Sequence, residues 1–245
     1  MYYKDVVPTG FQPLDDVLGG GFHNGSLNII AARPCTGKST FALQCAYGMS
    51  KNSERKIYIQ TLEHGSEFIK TKYPKISEEN GFIIDDAASI TPSQIYENLA
   101  QISNLGAIII DYLQLMSYNS KSSYSRNDEL SVIVCDMKKI AKQFNIPVIL
   151  ISQLPKFVDG GINPYRTLSD LKWYNTMLAQ DPDVILFLYS DYSYRDTKSP
   201  VASDIIIAKN NFGDCRTFPL IWDQGFSISK TGNKVKTVNS MIEKG

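Results

Sequence analysis

The sequence predicts an α/β fold in which helices cover both faces of a mostly parallel central sheet and an antiparallel hairpin follows near the C-terminus. Short apolar segments alternate with longer amphipathic ones along the 245 residues, a pattern typical of parallel sheets. Ala107–Asp111 contains an unbroken isoleucine run, as expected of a strand buried on both sides. Asn210–Asp214 lies between two strand-like segments and has the composition of a hairpin turn.

The first half of the chain contains four predicted strands and two predicted helices. Ser26–Ala32 is short and apolar, and a turn separates it from a helix over Lys38–Met49. Thr91 and Pro92 favour a helix start, because threonine is a good N-cap and proline fits the first helical position. The other strands predicted here are Lys56–Leu62, Gly81–Asp85 and Ala107–Asp111.

The second half begins with a predicted surface loop over Asn119–Arg126, which is rich in serine, tyrosine and lysine. Asn127 or Asp128 then caps a long amphipathic helix that reaches Phe144. The glycine- and proline-containing segment Asp159–Arg166 predicts another loop, followed by a short helix. The strands predicted here are Pro147–Gln153, Asp183–Tyr189, Asp204–Lys209 and Arg216–Trp222.

The composition is that of a folded globular protein, with 43% hydrophobic and 20% charged residues. We expect one domain over residues 1–245 with its core at about 8–230, and a polar tail from about Thr231. No apolar run reaches the ~18–20 residues of a membrane span, and the N-terminus lacks a signal-peptide pattern, so we expect a cytoplasmic location. Four separated cysteines and two histidines argue against a zinc site and favour reduced thiols. Because the formal net charge is zero, nucleic-acid binding would need a local patch.

The segment between the first predicted strand and helix matches the P-loop pattern G-x-x-x-x-G-K-[ST] except at its first position. Its residues are Ala32, Arg33, Pro34, Cys35, Thr36, Gly37, Lys38, Ser39 and Thr40. Gly37 lets backbone N–H groups turn towards a phosphate, and the helix start adds positive potential. Lys38 supplies a charge to the β- and γ-phosphates, and the Ser39 hydroxyl is a ligand for Mg²⁺. The sequence therefore predicts a site for ATP and Mg²⁺.

Three polar residues end predicted parallel strands at the same edge of the sheet. Glu63 can reach the water that attacks the γ-phosphate. Asp111 can hold Mg²⁺ through its water shell, since an aspartate ending so apolar a strand is costly to bury without a partner. Gln153 can hydrogen-bond the γ-phosphate and change partners on hydrolysis. For Glu63 and Gln153, an ordinary solvated strand end is the alternative interpretation.

These segments together resemble the C-terminal, RecA-like motor domain of the DnaB-type replicative helicases. The matching segments, collinear from Pro8 to about Trp222, are Pro8–Asp15, the P-loop with Ala-Arg-Pro at its start, Thr61–Glu63, Asp111–Met116, Ile151–Leu154, Leu168–Lys172 and Ile205–Gly213. The resemblance implies ATP hydrolysis in a hexameric ring during DNA replication, with single-stranded DNA in the central channel. It also implies that Glu63 is the catalytic base, acting with Lys38 and with Gln153 as sensor.

The chain departs from the family at four places. Few residues precede Pro8, so we expect the family's N-terminal domain and ring-linking helix to be absent. The stretch between Glu63 and Gly81 is shorter and is predicted to lack a helix. Lys209-Asn210-Asn211 stands where the family has Lys-x-Arg, whose arginine acts across the subunit interface, so this arginine finger is predicted to be missing. Trp173-Tyr174-Asn175 replaces a polar stretch of the family.

Two segments are candidates for contact with single-stranded DNA. Lys172, Trp173 and Tyr174 can combine charge with base stacking, although packing of the aromatics against a helix or a neighbouring subunit is the alternative. The loop Tyr118–Arg126 is the second candidate, and a solvated loop is its alternative.

Three functions stay open at this point. The first is the helicase motor, in which Lys209 or Arg195 could stand in for the missing finger. The second is a nucleotide-binding accessory module of a replication complex with weak or no hydrolysis, which Asn211 favours. The third is a RadA- or KaiC-like ATPase, which Leu18–Gly21 fits but Asp111–Met116 argues against.

Overall fold

Among the residues that the structure describes, nine strands form one central sheet. The structure, a computed structural model, describes residues 5–51, 54–77, 81–118, 125–154, 168, 176–190, 201–222 and 226–228. The strands are β1 (Val6–Val7), β2 (Phe22–His23), β3 (Leu27–Ala32), β4 (Lys56–Thr61), β5 (Phe82–Asp85), β6 (Leu105–Asp111), β7 (Val148–Gln153), β8 (Val184–Ser190), β9 (Val201–Asn210), β10 (Thr217–Trp222) and β11 (Phe226–Ile228). The helices are α1 (Gln12–Val17), α2 (Lys38–Lys51), α3 (Ser66–Lys72), α4 (Pro92–Ala100), α5 (Arg126–Phe144) and α6 (Thr176–Gln180).

The sheet is parallel in its middle and antiparallel at one end. Its order is β11-β10-β9-β8-β3-β7-β6-β4-β5. The neighbours from β8 to β5 pair in parallel, whereas β8–β9, β9–β10 and β10–β11 are antiparallel. β1 and β2 form a separate antiparallel pair. The predicted fold class, with a parallel sheet and a C-terminal hairpin, is confirmed.

The core consists of two apolar layers, one on each face of the sheet. In β3, Ile30 belongs to the layer that contains Phe41 of α2, and Ile29 belongs to the layer that contains Met137 of α5. In β6, Ile109 and its neighbour Ile110 likewise belong to opposite layers. Successive side chains of a strand point to opposite faces, so an uninterrupted apolar run is what a strand covered on both sides requires.

Helix α3 contradicts the prediction that the stretch between Glu63 and Gly81 lacks a helix. Among its residues only Ile69 is buried, so its sequence carries little apolar periodicity. Its start is supported from a distance, because the Ser66 N–H donates to Asp86 Oδ2 at 2.8 Å. The helix was missed because this support comes from a residue 20 positions away.

The cap of α5 was also predicted wrongly. Ser125, and not Asn127 or Asp128, is the N-cap, and its side chain accepts from the Asp128 N–H. The helix therefore begins at Arg126, inside the predicted loop. Its end after Phe144 agrees with the prediction, since Asn145 adopts the left-handed conformation (φ 51°) that terminates helices.

The other predicted boundaries that can be compared agree with the structure to within two residues, except that β9 begins three residues before the predicted Asp204. Thr91 caps α4 in a reciprocal capping box with Gln94, and Pro92 is the first helical residue. Residues 119–124 of the predicted loop Asn119–Arg126, the whole predicted loop 159–166 and the tail from Thr231 lie outside the described residues. Strands β1, β2 and β11 and helix α1 were not predicted from the sequence.

The N-terminal segment packs on helix α2 through two glycines. Asp15 holds this segment in a turn by accepting from the Thr9 N–H at 2.7 Å and from the Gly10 N–H at 3.2 Å. Gly48 of α2 lies so close to it that a Cβ there would come 2.2 Å from the Thr9 oxygen. A glycine inside a helix is unfavourable by itself, and this contact explains its presence.

Candidate functional site

The P-loop connects β3 to α2 at the carboxyl edge of the sheet. Cys35 (φ 59°) and Gly37 (φ 84°) both adopt left-handed backbone conformations. The Thr36 hydroxyl closes the turn by donating to the Arg33 oxygen at 2.8 Å. α2 then begins at Lys38, so the N–H groups of its first turn face the loop. The curved backbone in front of a helix N-terminus is the geometry that receives a polyphosphate.

Lys38 and Gln153 meet at this edge. The register of β3 with β7 pairs Ala32 with Gln153, which brings the start of the P-loop beside the end of β7. Lys38 is buried, and its Nζ donates to Gln153 Oε1 at 3.5 Å. The same Nζ lies 5.5 Å from the centroid of the Tyr112 ring. Lys38 is therefore confined between two neighbours and points towards the end of β7.

Asp111 ends β6 in a buried position with an unsatisfied oxygen. It is 4% exposed, and its Oδ1 finds no hydrogen-bond partner among the residues that the structure describes. Burial raises the pKa of Asp111, while a hydrogen bond with Ser39 and the charge of Lys38 act in the opposite direction. A buried carboxylate oxygen without a donor is favourable when a cation satisfies it. Carboxylate and hydroxyl oxygens are hard ligands, so Asp111 and Ser39 fit Mg²⁺.

Glu63 lies in a turn that Thr61 holds in place. The Thr61 hydroxyl donates to the His64 backbone oxygen at 2.7 Å and accepts from the His64 N–H at 3.3 Å. Thr61 is paired with Asp111 in the register of β4 with β6, and the Leu62 N–H donates to the Asp111 oxygen at 2.7 Å. This turn sets Glu63, an exposed carboxylate, in the wall of the cleft in front of the P-loop.

Glu63 and the P-loop residues Cys35–Thr40 line one cleft of about 420 Å³. Asp111 and Gln153 are not part of its lining, but they hydrogen-bond Ser39 and Lys38, respectively, which are. The full lining of the cleft consists of Cys35–Thr40, Glu63, His64, Phe68, Ile69, Lys72, Tyr73 and Ser190. Sequence reasoning missed the wall that α3 contributes. There, Lys72 Nζ lies 5.3 Å from the Phe68 ring centroid, and the hydroxyls of Tyr73 and Thr40 are 2.6 Å apart. The missed helix α3 is the reason, since Phe68, Lys72 and Tyr73 belong to no phosphate-binding motif.

The predicted interface residues Lys209 and Asn211 lie at the other edge of the sheet. Asn210 is paired with Val184 at the start of β8, whereas Ala32 is paired with Leu188 four residues further along that strand. At 3.3 Å per residue the separation along β8 is ~13 Å. Lys209 and Asn211 are thus not brought to the P-loop of their own chain.

Both side chains have partners inside the chain. Lys209 Nζ donates to the Gln180 oxygen at the end of α6 at 2.6 Å, and Asn211 Nδ2 donates to Asp183 Oδ1 at 3.2 Å. The other candidates, Lys172, Trp173, Tyr174 and Arg195, lie outside the described residues.

Comparison with known proteins identifies the family. Residues 6–74 and 66–230 match the family model described as "DnaB-like helicase C terminal domain". The replicative DNA helicase DnaC of Bacillus subtilis is 32% identical over 246 residues, an alignment that covers 87% of this chain and 54% of the relative. The DnaB of Rickettsia prowazekii is 33% identical, with coverage of 96% and 60%. The chain spans about half the length of the curated relatives that it matches.

Solved structures of this family share the fold. One of them, an isolated ATPase domain, superimposes with a TM-score of 0.79 at 29% identity, and the match covers 91% of each chain. A DnaB-like replicative helicase, solved in a study of its interactions with primase, gives a TM-score of 0.79 at 28% identity, covering 91% of this chain and 63% of that one. In the described part of the chain, no helix is long and apolar enough to cross a membrane. The chain belongs to the family of DnaB-like helicase C-terminal domains.

Proposed function

We propose that this chain is a single ATPase domain, with its core at about residues 8–230, that acts as a DnaB-like helicase motor on single-stranded DNA in replication. The observation that carries the proposal is the assembly of four side chains at one edge of the sheet. Lys38 and Glu63 line the cleft, Gln153 contacts Lys38, and Asp111 hydrogen-bonds Ser39 of the P-loop. The motifs are far apart in the sequence, and a chance match would not assemble them. Family membership favours a DnaB-like role over a RadA- or KaiC-like one.

Each side chain has a physical role in the proposed mechanism. The P-loop amides and Lys38 hold the β- and γ-phosphates, and Ser39 and Asp111 hold Mg²⁺. The ion, when bound, neutralises charge on the phosphates. Glu63 accepts a proton from the attacking water. Gln153 releases the contact of its Oε1 with Lys38 and donates from its Nε2 to the γ-phosphate, which links the nucleotide state to the end of β7.

The test is steady-state ATP turnover of the wild type and of Lys38→Ala, with and without single-stranded DNA. We expect the wild type to turn over ATP faster with DNA, and the variant to lose at least about 100-fold, because an unscreened phosphate charge raises the barrier by several kcal/mol. Binding to DNA should weaken steeply with salt. A wild-type rate equal to that of Lys38→Ala would overturn the enzymatic proposal.

The second candidate is a nucleotide-binding accessory module with weak hydrolysis. It is favoured by Asn211, which stands where the family has the finger arginine and whose amide donates to Asp183 inside the chain. In the motor, we propose that copies assemble as a ring, hexameric in the family, and contact other replication proteins. Mass in solution with nucleotide and ATP turnover with DNA together separate the two functions. The motor predicts a ring whose turnover rises with DNA, and the accessory module predicts nucleotide binding without DNA-stimulated turnover.

A further inference from the structure

The side chain of Gln114 replaces a strand partner at the end of β7. The register of β6 with β7 ends at Ile110 opposite Leu150, and the chain then enters a 3₁₀ turn over Leu113–Leu115. Gln114 Nε2 donates to the Gln153 oxygen at 3.1 Å, and its Oε1 accepts from the Gln153 N–H at 3.1 Å. One carboxamide therefore pairs both backbone groups that a longer β6 would have paired.

The end of β7 is held from both sides as a result. Gln114 Nε2 also donates to the hydroxyl of Ser152, which is fully buried, at 2.9 Å. On the other side, Gln153 is in register with Ala32 of β3, and the Leu154 N–H donates to the Ala32 oxygen at 2.9 Å. The backbone of Gln153 is fixed, while its side chain has the longer, 3.5 Å contact with Lys38. A longer contact of this kind is exchanged readily for another partner.

The turn that carries Gln114 is itself anchored. Arg126 Nη2 donates to the oxygens of Gln114 at 2.9 Å and Met116 at 2.8 Å, while its Nη1 pairs with Glu129. Hydrogen bonds from a charged guanidinium are stronger than those between neutral groups. Because Asp111 is three residues before Gln114, one short segment carries both the proposed metal ligand and the contacts to Gln153.

We propose that Gln114 is a positioning residue that sets where the Gln153 side chain lies relative to the γ-phosphate. This inference rests on the proposed ATPase function and specifies its sensor. Without the carboxamide, the N–H and C=O of Gln153 lose their partners on one side, and the strand end must shift to recover them. A displacement of about 1 Å is enough to break a hydrogen bond to the nucleotide. Gln114 hydrogen-bonds Ser152 and Gln153, whereas the other phosphates are held by the P-loop.

The experiment measures the preference for triphosphate over diphosphate, which does not require hydrolysis. Calorimetry gives the dissociation constants of Mg·ADP and of Mg·AMP-PNP for the wild type, Gln114→Ala, Gln153→Ala and the double variant. We expect each single variant to lose roughly 5- to 10-fold in preference for AMP-PNP, the equivalent of one hydrogen bond, with Mg·ADP affinity unchanged. The double variant should lose no more than Gln153→Ala, because Gln114 acts through Gln153.

Two further variants serve as controls. Gln114→Glu keeps the shape and one acceptor but sets a carboxylate oxygen against the Gln153 carbonyl, so we expect it to behave like Gln114→Ala. Gln143→Ala removes an exposed glutamine of α5 and should leave the preference unchanged.

Three outcomes would overturn this inference but not the proposed function. They are an unchanged preference in Gln114→Ala and Gln114→Glu, an equal loss of affinity for Mg·ADP and Mg·AMP-PNP, or a loss of preference in the double variant that equals the product of the two single losses. A wild type that binds neither nucleotide would instead overturn the proposed function, and this inference with it.

Discussion

Asp111 is a carboxylate placed where it is unfavourable without a cation. It is almost completely buried, its Oδ1 is unsatisfied among the described residues, and burial raises its pKa. Residues arranged for a ligand commonly destabilise the ligand-free protein. We therefore expect substitution of Asp111 to weaken nucleotide binding while it stabilises the nucleotide-free protein.

Asp111→Asn should therefore stabilise the nucleotide-free protein while abolishing Mg²⁺-dependent nucleotide binding. We expect the free energy of unfolding at pH 7 to rise by about 1 kcal/mol, because a buried charge is removed. A raised pKa means that the folded state keeps its proton to higher pH than the unfolded state, so the penalty grows as pH rises. The gain in the variant should shrink as the pH is lowered from 7 to about 4, close to the ordinary pKa of an aspartate. Urea denaturation at both pH values measures it, and a variant that is less stable at pH 7 would contradict the argument.

Thr61 illustrates a residue that acts on a neighbour through one hydroxyl. Thr61→Val keeps the shape and removes both hydrogen bonds that hold the turn at Glu63. We expect kcat to fall by about 10-fold with little change in nucleotide affinity, because the base is displaced but the P-loop is intact. Thr71→Val, on the exposed side of α3, is the matched control. Equal effects of both substitutions would refute the role of the turn.

Among the elements, α2 has two tasks that constrain different parts of it. Its first turn presents N–H groups to the P-loop, and its middle receives the N-terminal segment at Gly48. Close packing of a helix on backbone requires the absence of a side chain. The N-terminal segment is thus part of the scaffold behind the site.

Gly48→Ala should be destabilising although alanine favours helices. The added Cβ would lie 2.2 Å from the Thr9 oxygen, so the segment must move. We expect a loss of about 2–3 kcal/mol in unfolding free energy. Gly65→Ala is the control, since its φ of −66° suits alanine and the nearest side-chain atom would be 3.8 Å away. Chemical denaturation of both variants tests the comparison, and equal stabilities would contradict it.

In the whole molecule, the cleft and the β9–β10 turn are at opposite edges of one sheet. The turn is held to Asp183, which also accepts from the Leu27 N–H at 2.8 Å and pairs with Lys138. A residue on this turn can reach a nucleotide only in another copy of the chain. A finger arginine, which this chain is predicted to lack, would therefore act between the subunits of an assembly and not within a monomer.

Asn211→Arg should raise ATP turnover only under conditions where copies associate. A guanidinium stabilises charge on the transferring phosphoryl group, and such fingers contribute about 10³–10⁵ in rate where they are well placed, so we expect a gain of at least about 10-fold. Turnover and light scattering are measured together across protein concentration. A gain that persists in dilute, monomeric protein would contradict a role between subunits.

Much of the fold and part of the site could be predicted from the sequence because their signals are local. Strand β6 is recognisable from consecutive isoleucines, and the P-loop from the spacing of Gly37, Lys38 and Ser39. Asp111 and Gln153 could be predicted as candidate site residues because each ends an apolar strand, and parallel strands bring such ends to one edge. Each of these signals lies within a segment of fewer than about ten residues, which is the length of one strand with its adjoining loop.

The rest was decided by contacts between residues far apart in the chain. Helix α3 depends on Asp86, Gly48 on the Thr9 backbone, and Gln114 on the point where β6 leaves β7. None of these residues has a neighbouring pattern that indicates its partner, because hydrogen bonds and close backbone approaches depend on which strands lie side by side. The sequence alone predicted a phosphate-binding loop, and the tertiary structure decided which side chains hold the candidate site residues in position, since positioning is a property of packed neighbours in space.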